Sequence, residues 1–110
     1  MFETKEEHPG RSHQPVRVPR RKDDIFGAAR EMCDDLEMWT VLEVDEAALR
    51  ITCEKKNGFL GGTSRILVWV EGPDDIPSST TCVRSEGSGP LNKDKGNVAE
   101  FVKKFTMRVC

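Results

Sequence analysis

Arg84, Ser85, Asp94 and Asn97 are the residues of this chain whose types and spacing could do chemistry. Thr80 to Ser85 reads as a polar strand end, and Asp94-Lys-Gly-Asn97 opens a segment with helical apolar spacing. A strand end and a helix N-terminus that converge would offer a guanidinium, a hydroxyl and free first-turn amides to an anion. The same side chains also have a structural reading, in which Asp94 caps the helix, Arg84 pairs with Asp94 and Asn97 bonds back to the connecting loop. That reading is the stronger expectation, since each group then finds its partner within the chain. Anion or ligand binding comes second and catalysis last.

The remaining reactive side chains do not assemble into a motif. His8 and His13 stand five residues apart in a polar segment, with no further ligand at metal-binding spacing. Cys33, Cys53, Cys82 and Cys110 are too widely spaced for a Cys-x-x-Cys metal or redox pair. Strand alternation puts Cys53 on an apolar face with Leu49 and Ile51, so buried or terminal free thiols are expected. No metal or cofactor is called for. Arg17, Arg20, Arg21 and Lys22 form a basic run without interleaved aromatic residues, which disfavours nucleic acid as a partner. Phe59 and Leu60 lie between Asn57-Gly58 and Gly61-Gly62, so an apolar pair sits at a hairpin tip, either folded over the sheet end or presented to a partner. Trp39, Leu67 and Trp69 could line a groove between sheet and helices, although a chain this short is expected to fill that space with core.

The elements that must position these residues follow from periodicity. Residues 1–14 carry charges, Pro9 and Gly10 but few apolar side chains, and are expected to form a disordered tail. Val16 to Val18 alternates briefly before Pro19 and suits a short edge strand. With Asp23 or Asp24 as N-cap, Ile25, Ala28, Ala29, Met32 and Leu36 recur along one helix face. Trp39 to Val44 and Leu49 to Glu54 read as a hairpin turning at Asp45-Glu46. Ser64 to Glu71 is a strand apolar on both faces at its centre, and Ser79 to Ser85 is the last strand. Val98, Phe101, Val102, Phe105 and Val109 then mark a second helix with one apolar stripe. Strand, helix, four strands, helix belongs to the α+β class, an antiparallel sheet of about four to five strands with both helices on one face.

Size and charge bound the rest. A chain of 110 residues holds one domain, expected over residues 15–110. The net charge of -2 hides six Lys/Arg against three Glu in the first 22 residues, so the basic charge is local. No apolar run approaches the ~18–20 residues of a membrane helix, and no apolar stretch of a secretory signal opens the chain; a cytoplasmic protein is expected.

Trp39 followed by strands, Gly58 to Gly62, Arg84-Ser85, and Asp94-Lys-Gly96-Asn97 at a final helix together resemble the family known as domain of unknown function 1499, over about Val16 to Met107. The chain departs from that pattern at Gly87, where the family tends to carry a second Ser, and at Thr63-Ser64-Arg65, where an acidic pair is usual. The element order is also similar to a shortened helix-grip domain, an architecture of hydrophobic-ligand binders. The expected function is a non-catalytic interaction module with an unidentified protein partner. The alternative is a carrier of a small apolar or anionic ligand between sheet and helices.

Overall fold

The computed structural model describes residues 1–58, 60–88 and 92–110. An antiparallel sheet is built from β1 (Phe2–Glu3), β2 (Val16–Val18), β3 (Trp39–Asp45), β4 (Arg50–Lys56), β5 (Thr63–Glu71) and β6 (Ser79–Gly87). Its order is β1-β6-β5-β4-β3, and β2 shares with β1 the edge of β6. Helices α1 (Lys22–Asp35) and α2 (Asp94–Val109) pack on one face. This is the expected α+β architecture, with one more strand than expected because β1 lies in the segment read as a tail.

Alternation explains which face the helices take. Ile51 and Cys53 of β4, Ile66, Val68 and Val70 of β5, and Val83 of β6 are buried and point to the helices. Opposite them α1 buries Ile25, Phe26, Ala29, Met32 and Cys33, and α2 buries Val98, Phe101, Val102, Phe105 and Val109. Phe101 stacks between Phe105 and Trp39, with ring centroids 5.3 and 6.0 Å away. The expected N-cap of α1 is displaced: Arg21 holds that position without a side-chain cap, and Asp23 and Asp24 lie in the first turn. There their carboxylates face the positive end of the helix dipole.

Two backbone positions shape the β3–β4 hairpin. Met38 (φ 68) reverses the chain after α1, and Leu49 (φ 53) closes the turn, so β4 begins at Arg50 rather than at Leu49. Asp45 fixes that turn by accepting a hydrogen bond from the Ala48 amide at 3.0 Å. A register shift between Val41 and Glu43 leaves Leu42 as a bulge on the edge strand, 48% exposed.

Residues 1–14 are placed on the fold, in contrast to the expected tail. Phe2 and Glu3 pair with Ser85 and Arg84, the Thr4 amide donates to the Val83 carbonyl at 3.0 Å, and Thr4 is buried. Phe2 stacks on His8 and meets His13 edge-on, while a short 3-10 turn at Arg11–His13 rests on α2. Charge-rich composition concealed this because the anchoring is done mainly by the strand-edge hydrogen bonds of β6, which any sequence can satisfy.

Phe101→Ala should destabilise the fold by about 3–5 kcal/mol in denaturant titration, the usual cost of emptying an aromatic core position. Removal of residues 1–14 should lower Tm by about ten degrees, the equivalent of ~1–2 kcal/mol for a domain of this size. An unchanged Tm would show that this segment adds nothing to the core.

Candidate functional site

Asp94 stands at the first turn of α2 and is buried, its relative exposure being 3%. Lys93, not Asp94, occupies the N-cap position. The carboxylate turns away from its own helix toward the sheet, where it collects donors from two strands. Oδ1 accepts from Ser64 Oγ at 2.9 Å and Ser85 Oγ at 2.8 Å, and Oδ2 accepts from the Gly87 amide at 2.9 Å. The Met1 amine lies 3.3 Å from the same Oδ2.

One turn along α2, Asn97 extends the cluster. Its Nδ2 donates to Asn57 Oδ1 at 3.0 Å and to Ser85 Oγ at 3.2 Å, and its Oδ1 accepts from Lys55 Nζ at 2.6 Å. Asn57 Nδ2 in turn donates to Ser64 Oγ at 2.7 Å and to the Gly61 carbonyl at 3.2 Å. Each serine hydroxyl therefore gives its proton to Asp94 and accepts one bond from an asparagine. Lys55 continues outward to Glu100 Oε1 at 3.0 Å, which also accepts from Trp39 Nε1 at 3.3 Å. The network thus runs from the buried start of α2 to its surface.

Of the four residues singled out in the sequence, the structure brings Ser85, Asp94 and Asn97 together. Arg84 is the exception: alternation turns it to the opposite sheet face, where its guanidinium is 4.0 Å from Glu3. It does not pair with Asp94. Asn57, Ser64 and Lys55 were not anticipated. Ser64 had a readable signal, because it shares its strand face with Ile66, Val68 and Val70 and so is a hydroxyl in a buried row. Asn57 had none, since only the turn to Gly61 and Gly62 aims its amide inward.

Gly87 now has a physical reason. A Cβ there would lie 2.4 Å from Asn92 Cβ and 2.9 Å from both Asp94 Oδ1 and Ser64 Oγ, so a serine would not fit beside this carboxylate. Of the hairpin-tip pair, Leu60 is 70% exposed and Phe59 lies outside the described residues. Trp39 is buried on the helix side, whereas Leu67 and Trp69 face the other way, so the three do not line a common groove.

The chemistry open to the cluster follows from its protonation. Burial pushes the Asp94 carboxyl up, but the donors from Gly87, Ser85, Ser64 and the Met1 amine outweigh it and hold the group below its ordinary value. A weakly basic carboxylate is a poor general base for either serine. The four cysteines are free thiols. Hydrogen bonding to Cys53 and burial push the Cys33 thiol up, and burial raises Cys82 to about 11, so neither is a thiolate at neutral pH. Among the described residues no group of three or more His, Cys, Asp or Glu could hold a metal ion. No family model matches the chain. No curated protein is significantly similar to it.

Asp94→Asn should cost about 1–3 kcal/mol at neutral pH, because an amide nitrogen replaces an acceptor that buried donors require. The folded carboxyl titrates below its ordinary value of 3.8, so the unfolded chain takes up this proton first. Asp94's contribution is complete above that value and is lost as the pH falls through the folded value. Denaturation followed against pH should therefore show an acid limb that flattens in Asp94→Asn. Unchanged stability of that variant together with saturable phosphate binding would restore the anion-site reading.

Proposed function

We propose that the protein is a non-catalytic interaction module whose contact surface is the sheet face left open by the helices. The observation that carries this reading is the pairing of Leu67 and Trp69 on β5 with Thr52 and Arg50 of β4 and with Arg84 and Cys82 of β6, all on the face away from α1 and α2. Leu67 and Trp69 are half-buried and Cys82 is buried, giving an apolar centre, while Arg65, Glu71 and Glu86 around it are exposed. An apolar centre with a charged rim is the anatomy of a contact surface.

The other expected readings have less support. A ligand carrier needs room between sheet and helices, but Ile51, Ile66, Val68, Phe101 and Phe105 there are all 1% exposed or less. Three cations of the basic run have partners in their own chain: Arg17 pairs with Glu6, Arg21 donates to the Asp74 carbonyl at 3.1 Å, and Lys22 pairs with the Asp74 carboxylate. It offers no continuous cationic track. No helix among the described residues is long and apolar enough to cross a membrane. The likeness of Trp39, Arg84-Ser85 and Asp94 to Asn97 to the domain of unknown function 1499 family belongs to this proposal as a motif resemblance and assigns no activity.

The test is photo-crosslinking in cells from a benzoylphenylalanine placed at Leu67, with the same probe at exposed Glu31 on α1 as the reference. Discrete adducts are expected from position 67 and not from position 31. Equal adduct patterns from both positions would overturn the reading.

A further inference from the structure

We infer that the partner on the open sheet face is a second copy of this chain, packed sheet to sheet about a two-fold axis that crosses β5 at Val68. This rests on the reading of that face as a contact surface and adds the identity of the occupant.

A two-fold contact requires a patch that complements itself. The outward row across the sheet is Glu54 on β4, Arg65 on β5 and Glu86 on β6, and further along, β5 ends at Glu71 beside Thr80 and Arg17. A two-fold axis along β5 would lay Arg65 on its own copy and Glu54 on the partner's Glu86, like-charge contacts that repel. An axis across the strands at Val68 reverses the rows instead. Arg65 then faces the partner's Glu71, Leu67 faces the partner's Trp69, and Glu86 comes over the partner's Thr80. Opposite charges flank an apolar centre only in this second arrangement.

On the rim, Glu43 of β3 would face the partner's Asp45, but both are exposed on the edge strand, and Arg50, in register beside Asp45 on β4, supplies a cation there. The size also suffices. Strand spacing of ~4.8 Å and a rise of ~3.3 Å per residue give the β3–β6 face on the order of 600 Å² in projection. Side-chain relief carries the accessible area toward the ~800 Å² per partner of a standard interface.

Arg65 and Glu71 belong to one strand and are about 20 Å apart within it by the same rise per residue, so they do not touch in a single copy. This makes charge reversal a clean test. Sedimentation velocity of the full chain over a concentration series reaching the millimolar range should show a monomer–dimer equilibrium. Arg65→Glu should weaken it by about tenfold or more, and Arg65→Glu combined with Glu71→Arg should recover it, because each interface then carries reversed but opposite charges. Glu71→Arg cannot relieve the repulsion that Arg65→Glu introduces against Glu54 and Glu86 of its own chain, so recovery reports contact between copies, and melting curves of each variant exclude loss of fold. A dimer insensitive to Arg65→Glu, or one not recovered by the double exchange, overturns this arrangement. A chain monomeric at every concentration overturns the second copy as occupant: adducts from position 67 to a different protein would then leave the contact-face reading standing, and their absence would remove both.

Discussion

A carboxylate with three hydrogen-bond donors and an amine around it is the point on which the two layers of this protein are joined. Asp94 belongs to α2, yet its bonds go to Ser64 on β5 and to Ser85 and Gly87 on β6. Burying a charge is unfavourable unless it is fully hydrogen-bonded, and here both carboxylate oxygens are turned to donors on the sheet. Apolar contacts among Phe101, Phe105, Ile66 and Val68 hold the helix on the sheet without fixing where along it the helix sits. The directional bonds of Asp94 and Asn97 fix that register. They also hold the end of β6 against the start of α2, because Gly87 lies close to the carboxylate.

The same arrangement leaves the other sheet face without a helix. Both helices are committed to one sheet face by a filled core and a satisfied polar network. The opposite face keeps an apolar centre at Leu67, Trp69 and Cys82 and a rim of alternating Arg and Glu. Antiparallel sheets commonly leave one face to solvent with polar residues outward, and the half-buried Leu67 and Trp69 at the middle of that face depart from that pattern.

The α+β class, both helices and the four long strands were legible from the sequence because each rests on a local period. Phe101, Val102 and Phe105 are buried where a helical stripe predicts, and Ile66, Val68 and Val70 where alternation predicts. The candidate site was legible in part. Ser85, Asp94 and Asn97 were found by their type at a strand end and a helix start, while Arg84 was misplaced because neighbouring strand residues point to opposite faces. Applied strictly, alternation separates Arg84 from Ser85 and adds Ser64.

Residue order by itself determined the secondary structure, the inward faces of both helices and the polar residues available at the start of α2. Those are properties of neighbours a few positions apart, set by backbone geometry and the exclusion of apolar surface from water. Only the tertiary structure decided that residues 1–14 would lie along β6 and α2, that Asn57 and Lys55 would reach Asn97, and that Asp94 would serve two strands rather than cap its helix. Each depends on segments 40 or more residues apart in sequence or on the close approach of Gly87 to the carboxylate. No local pattern encodes such meetings, because they arise when the packed layers bring unpaired donors and acceptors within bonding distance.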